Sequence, residues 1–462
     1  MPYEPTTNFR DSDGVDLGKK LVTKDYLLSV YETILESSPA SGLVVTPELW
    51  GWGTQGSGFL LGTGDNTNRS TPSLIGGGGT NWKQVSFGLD HQGAIKTDGT
   101  LWMWGNSADG RLASNGGSAF PITTFAGGTN WKQISCGSGH SAAIKTDGSL
   151  WTWGLGTSGQ LGNNGTTNRS IPVTTFAGGT DWKQVSAGDR ITAAVKTDGS
   201  LWLWGRNHVG QLGNNLSGGG GEGQNRTTPV TTFAGGNNWK QVSTQGYNTA
   251  AVKTDGTLWI WGMNLNRELP INAGGDTRNT PVTTFAGGNN WKQTITNMAI
   301  KTDGTLWTWG RNSNAELGIN ATGARSTPVT TFAGGTNWKS LSLGGFSSNT
   351  AGAIKTDGTL WVWGLNNNTQ LGINAAGNRS TPVTTFAGGN NWKQVSCGAR
   401  HTGAIKTDGT LWVWGSDDFN ALGTNGAGNR NTPVTTFAGG NNWKQVSFGD
   451  VYSAAIQYQP DP

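Results

Sequence analysis

Four sets of residues carry groups that could do chemistry. His91, His140 and His401 share one register, each three residues after a glycine, as in Gly137-Ser-Gly-His140. A metal site would need several such imidazoles within about 2.1 Å of one ion. Other units put Ile191, Ser347 and Tyr452 in that slot, so the expectation is a hydrogen-bonded structural histidine and no metal. Cys136 and Cys397 fill equivalent places in QISCG and QVSCG, where other units carry Phe87, Ala187, Leu343 or Phe448. That slot reads as a small buried side chain, not a disulfide partner or a nucleophile. The aspartates of T-D-G (Asp98, Asp147, Asp198, Asp255, Asp303, Asp357, Asp408) are turn residues, because Asp bonds its own backbone. No carboxylate pair stands outside the repeat as a glycosidase would require. Ser217–Gln224, SGGGGEGQ, lacks the Gly-Lys-Ser/Thr of a phosphate loop and reads as a flexible insertion. The expectation is a protein that is not an enzyme, with no catalytic residue, cofactor or metal.

The element beneath these residues is the stretch Ala142–Gly154, AAIKTDGSLWTWG, which recurs along nearly the whole chain. Two β-prone runs flank Asp147-Gly148, which predicts a two-residue type I′ hairpin. Counting from that turn pairs Thr146 with Ser149, Ile144 with Trp151 and Ala142 with Trp153. A face holding Ile and two Trp must be covered, and one hairpin cannot cover it, so the copies must stack.

Composition agrees. The 462 residues include 76 Gly and 24 Trp, and only 13% are charged. W-x-W-G opens eight times, at Trp50, Trp102, Trp151, Trp202, Trp259, Trp307, Trp361 and Trp412; N-W-K or D-W-K also occurs eight times. Three Trp per unit use all 24, so their role is structural. The net charge of +4 is spread over recurring Lys and Arg, which argues against a nucleic-acid stripe. No apolar run approaches the roughly 18 residues of a membrane span, and the first residues show no leader-like apolar core.

Each unit of about fifty residues reads as four short strands: W-K-Q-V-S, A-A-I-K-T, L-W-x-W-G and T-P-V-T-T-F. The fold class expected is all-β, an eight-bladed β-propeller of four-stranded antiparallel blades, with seven blades the alternative. The chain enters the repeats at Leu49-Trp50 without a preceding K-T-D-G strand and leaves at Ala454–Gln457 without a following L-W-x-W-G. Pairing the two closes the ring and removes an exposed edge. The unit at Trp291 is worn, short by about four residues before Ala299. Residues 49–462 form the propeller. Residues 1–48 form an arm with an amphipathic helix whose stripe is Leu27, Leu28, Tyr31, Ile34 and Leu35.

Written out, a unit is W-x-W-G, G-Q-L-G, P-V, V-S-x-G-x-x-H and A-A-I-K-T-D-G. It resembles the repeat of the regulator of chromosome condensation family. Gly159–Gly162 and Gly210–Gly213 carry G-Q-L-G, and Gly88 with His91, Gly137 with His140 and Gly398 with His401 carry G-x-x-H. The resemblance implies a propeller. It leaves the function open among GTPase exchange, ubiquitin-ligase domains and protein inhibition. A shorter stretch, DLGKKLVTKDYLLSVYETI, resembles N-terminal segments of structural proteins from tailed phages of marine bacteria.

Two segments vary between units: the loop after W-x-W-G and the turn after W-K-Q-V-S. Both leave the C-terminal ends of strands that run the same way, so both are expected on one face. Loops on a rigid scaffold carry specificity. The residues departing from the repeat there are Arg111, Asp189, Arg190, His208, Tyr247, Arg267, Phe346, Arg400 and Phe419. The function expected is a non-enzymatic, virion-associated adhesion protein of a tailed phage, located on the particle surface. It would bind a protein or a host-surface glycan through that face, and another virion protein or itself through the helix. The alternative is a cytoplasmic protein-interaction propeller, an inhibitor or scaffold; a GTPase exchange factor is the weaker third.

Overall fold

The computed structural model describes Tyr31–Glu32 and residues 45–460, apart from 56–57, 77–78, 115, 217–223, 266, 273–274, 296, 345–348 and 450–451. The chain forms eight antiparallel sheets of four strands, one carrying a short fifth strand. Blade 2 shows the pattern: an inner strand Trp131–Cys136, then His140–Lys145, then Leu150–Gly154, and an outer strand Arg169–Thr174. Blades are numbered here by their inner strands, from Trp82–Phe87 in blade 1 to Trp443–Phe448 in blade 8.

The central hairpin differs from its expected register by one residue. Ile144 faces Leu150, Ala143 faces Trp151 and Ser141 faces Trp153. The loop is Thr146-Asp147-Gly148, closed by Lys145 N–H donating to Ser149 O at 3.0 Å. Only Gly148 has positive φ, at 81°, so this is a three-residue turn ending in a left-handed glycine. Asp147 Oδ1 accepts from Ser149 N (2.9 Å) and Ser149 Oγ (2.7 Å), which fixes the longer turn. A one-residue shift moves side chains to the opposite face. Trp151 and Trp153 therefore share a face with Trp131, at 6.4 and 6.3 Å between ring centroids. Ile144 and Leu150 turn to the other face.

That division makes the blades complementary. Ala142, Ile144 and Leu150 of blade 2 pack against Trp182, Val185, Ala187, Ala194 and Trp204 of blade 3, and equivalent layers fill the other junctions. Polar residues of the repeat stitch the same junction. Gln133 Nε2 donates to Val185 O, and Gln133 Oε1 accepts from Val185 N, both at 3.1 Å. Ser135 Oγ accepts from Ala187 N at 2.9 Å. The amide of W-K-Q-V-S thus acts as an extra strand residue between inner strands. The third-strand Trp204 donates its Nε1–H to Gln160 O of blade 2 at 2.9 Å. These bonds are buried, where leaving one partner unmatched costs about 1–3 kcal/mol.

The ring closes as the chain ends imply. Val45–Gly53 pairs with Tyr452–Pro460, with Leu49 opposite Ile456 and Gly53 opposite Tyr452. Blade 8 is therefore built from both ends of the repeats, and the N-terminal strand starts four residues before the expected Leu49. The worn unit still makes a full blade, Trp291–Ile295, Met298–Lys301, Leu306–Gly310 and Arg325–Thr330, with its first hairpin shortened. Its junction with blade 4 departs from the pattern. In blade 4, Pro270 replaces the last glycine of G-Q-L-G, which has φ of 66° at Gly162 and 64° at Gly213. Proline cannot take that angle. Across this junction the buried Nε1 of Trp309 finds no acceptor among the described residues.

The expected helix stripe is corrected at one point. Tyr31–Glu32 is a short strand paired with the inner strand of blade 1, Tyr31 opposite Val85. The inner strand offers backbone groups on its free edge, and an extended segment satisfies them. Leu27, Leu28, Ile34 and Leu35 lie outside the described residues. Among the described residues no helix is long and apolar enough to cross a membrane.

Candidate binding face

Each blade turns twice toward one end of its strands. The turn after the inner strand and the loop after the third strand meet there: Leu155 N donates to Gly139 O, Arg206 N to Arg190 O and Ser416 N to Arg400 O, at 2.8, 2.8 and 2.9 Å. The T-D-G turn and the Asn-Trp junction meet at the other end, where Thr146 N donates to Asn130 O at 2.7 Å. The irregular segments thus share a loop face and the near-identical ones a turn face, as the strand directions require.

The G-x-x-H motif holds the loop face together. His140 Nε2 lies 2.8 Å from Thr192 Oγ1 of the next blade, whose hydroxyl donates to Gln160 O. The hydroxyl proton is used, so the imidazole donates from Nε2, and burial disfavours its charged form. His401 does the same with Ser453 at 2.8 Å, and His91 with Ser141 at 2.9 Å. Burial pushes His140 down to about 3 and His401 to about 4; it also lowers His91, against the opposing effect of Asp90. The glycine of the motif is needed for contact: a Cβ on Gly137 would lie 2.5 Å from Gly188 O. In blade 6 the histidine register is occupied by Thr350, opposite Gly364, instead of Ser347, which lies outside the described residues. Both cysteines are buried free thiols, pushed up to about 12 by desolvation. Among the described residues no group of three or more His, Cys, Asp or Glu could hold a metal.

Three of the expected contact residues come together. Asp189, in the turn of blade 3, accepts from Ser138 Oγ of blade 2 at 2.8 Å. Its other oxygen is 3.9 Å from Arg206 Nη1, and Arg206 lies over the Tyr247 ring at 5.7 Å. His208 meets Tyr247 edge to face at 5.1 Å, and its Nδ1 lies 3.2 Å from Gln211 Nε2. The result is a half-buried polar and aromatic ridge across blades 2, 3 and 4. Sequence reading missed Arg206 and Ser138; Arg206 escaped because Arg311 opens the blade 5 loop in the same way.

The other residues are dispersed. Arg190 is half-buried beside the ridge, with φ of 55°. Arg267 is exposed, with Nη1 donating to Ala324 O at 3.4 Å. Arg400 reaches Asp418 at 3.6 Å, both about half exposed, and Phe419 beside them is 49% exposed. Phe346 lies outside the described residues. Arg111 is corrected: it is 8% exposed and clamped between Asp90 and Asp109. The reason is that its loop folds down between blades. Arg111 occupies the Gln slot of G-Q-L-G, and its carbonyl accepts from Trp153 Nε1 at 2.9 Å. Part of this variable loop is thus packing. On the turn face and rim, sequence reading also missed seven exposed phenylalanines of T-T-F-A-G-G, among them Phe176 and Phe233, each 66% exposed.

A closed ring of blades that holds constant turns on one face and irregular loops on the other defines a propeller scaffold for presenting loops. The model of the regulator of chromosome condensation (RCC1) repeat matches residues 98–144, 147–195, 198–252, 357–405 and 408–456, more than half of the chain. The chain belongs to that repeat family. The unmatched stretch between these segments contains the worn blade. Among curated proteins it is 29% identical over 267 residues to the ultraviolet-B receptor UVR8 of Arabidopsis thaliana, covering 54% of this chain and 57% of that one. It is 28% identical over 255 residues to the mitochondrial RCC1 domain-containing protein RUG3 of the same plant, covering 52% and 55%. The chain spans about half the length of these relatives. Among solved structures it is similar to Prp20p of Saccharomyces cerevisiae, described with its binding to Gsp1p and histones, at TM-score 0.60 and 16% identity over 90% of this chain and 92% of that one. Yeast RCC1 bound to Kap60 gives 0.61 and 15% over 93% and 96%. These likenesses bear on the fold.

Proposed function

We propose that this chain is a non-enzymatic protein-interaction propeller, an inhibitor or scaffold that binds a protein partner on its loop face. The observation that carries the reading is the ridge of Asp189, Arg206, His208 and Tyr247. With Ser138 it joins three blades, and it presents Arg and Tyr, residue types that anchor protein contacts. Family members described with Gsp1p, histones or Kap60 as partners support binding to protein. They favour this reading over attachment to a virion, which rests on a short N-terminal resemblance alone. The test is a variant carrying Asp189→Gly, Arg206→Leu, His208→Thr and Tyr247→Gly, toward the neighbouring units. It is expected to keep the fold and the melting temperature within a few degrees while losing at least about tenfold in partner affinity. Unchanged affinity for a partner isolated with the native chain would overturn the assignment.

A further inference from the structure

The loop after the third strand is held by two clasps. The first is the second residue past W-x-W-G, which is Asn207, Asn312 and Asn366 in blades 3, 5 and 6. Each Oδ1 accepts from the leucine N–H five residues on, at 3.0 Å. Each Nδ2 donates to the carbonyl nine residues on, that of Leu216, Ala321 or Ala375, at 2.8, 2.7 and 2.7 Å. The second clasp is the Gln or Glu of G-Q-L-G. Gln160, Gln211, Glu316 and Gln370 each accept from the N–H two residues before, at 2.8, 3.0, 2.7 and 2.8 Å.

Blade 7 lacks the second clasp and carries a changed first one. Its loop follows the third strand Leu411–Gly415. Ala421 takes the Gln place, and its methyl group cannot accept. Phe419, two residues before, adopts φ of 66°, uncommon for a bulky side chain, and is 49% exposed. Asp417 takes the asparagine place. It is buried, and its Oδ1 accepts from Leu422 N at 3.1 Å, as asparagine does. The loop follows the path it takes in blade 6. Asp417 N donates to Asn429 Oδ1 at 3.0 Å, and Asn366 N to Asn378 Oδ1 at 3.0 Å. Asn425 N donates to Ser70 O and Asn374 N to Asn431 O, both at 2.8 Å, with φ of 54° and 55°. The carbonyl of Gly426 therefore takes the place of that of Ala375, and Asp417 Oδ2 takes the place of the amide nitrogen. An ionised carboxylate has no hydrogen to put between two oxygens; a protonated one has.

We propose that Asp417 is a proton-operated clasp: protonated, it donates to Gly426 O and fixes the blade 7 loop that carries Phe419; ionised, it keeps Leu422 and releases Gly426. Burial pushes the Asp417 carboxyl above the ordinary 3.8, and Asp418 adds to this, while the Leu422 N–H and Arg430 oppose it. Arg430 and Asp418 are the charged groups that act on it, and Asp418 is itself 3.6 Å from Arg400. Stability from the clasp is whole below 3.8, the value in the unfolded chain, and is lost as pH rises through the higher folded value. That sign is opposite to the effect of the buried histidines. The clasp lies in blade 7, apart from the ridge of blades 2 to 4, and does not depend on it.

The experiment places a single fluorine on the Phe419 ring of the full chain and follows its NMR resonance from neutral pH down to the carboxylate range. The resonance is expected to titrate with a midpoint above 3.8. Asp417→Asn should hold it at the low-pH position throughout. Asp418→Asn should keep the titration and lower its midpoint. Hydrogen exchange at neutral pH gives a second reading: Asp417→Asn should slow the amides of residues 422–428 about fivefold, the worth of one net hydrogen bond. A resonance in the native chain that does not titrate, a titration that persists in Asp417→Asn or vanishes in Asp418→Asn, or amides that exchange no more slowly in Asp417→Asn would each overturn the proposal.

Discussion

Tryptophan carries the frame, and its three copies per unit are not equivalent. Trp204 is fully buried, packs between blades and donates to Gln160 O. Trp202 is half-buried, capped by Lys196 at 5.4 Å, with its Nε1 donating to Ser200 Oγ. Trp204→Ala should cost about 3–5 kcal/mol in chemical denaturation. Trp202→Ala should cost clearly less, and equal losses would contradict the assigned packing. The histidines give a pH signature. Their folded values lie below the ordinary 6.5, so the unfolded chain binds more protons as pH falls from about 6.5 toward 3 to 4. Stability from neutral histidine is whole above that window and is lost on descending through it. The melting temperature should fall between pH 6.5 and 4.5. The fall should shrink in His140→Gln with His401→Gln, which keep a donor for Thr192 and Ser453. A profile identical to that of the native chain would refute the neutral-histidine assignment.

At the scale of the strand and turn, the four-strand unit and its order were legible because turn residues and β-prone runs alternate without interruption. The hairpin register was not. Asp-Gly alone admits a two-residue or a three-residue turn, and the choice depends on Asp147 holding Ser149 and on an approach from the next blade. That approach explains the glycine: a Cβ on Gly148 would stand 2.1 Å from Thr180 O, whereas one on Gly178 would meet nothing within 4 Å. Both have positive φ, 81° and 55°. Gly148→Ala should therefore lower the melting temperature well beyond Gly178→Ala, since both carry the backbone cost and only one carries the collision. The burial of Arg111 was also hidden. Departure from a repeat marks a residue as different without saying which way its loop folds.

For the whole molecule, closure could be read from the sequence because the halves of one hairpin stand at opposite ends of the repeats, and Leu49 indeed lies opposite Ile456. The segregation of variable loops to one face followed from strand direction alone. Which loop residues meet did not, because the ridge joins Ser138, Asp189, Arg206 and Tyr247 across 109 positions of sequence that only the ring brings together. The proposed partner site lies on the loop face. The most direct measurement places a photo-crosslinking amino acid at Tyr247 in one sample and at Asp255, on the T-D-G turn of the same blade, in another. Partner adducts at Tyr247 and none at Asp255 are the expected result; adducts at Asp255 with none at Tyr247 would contradict it.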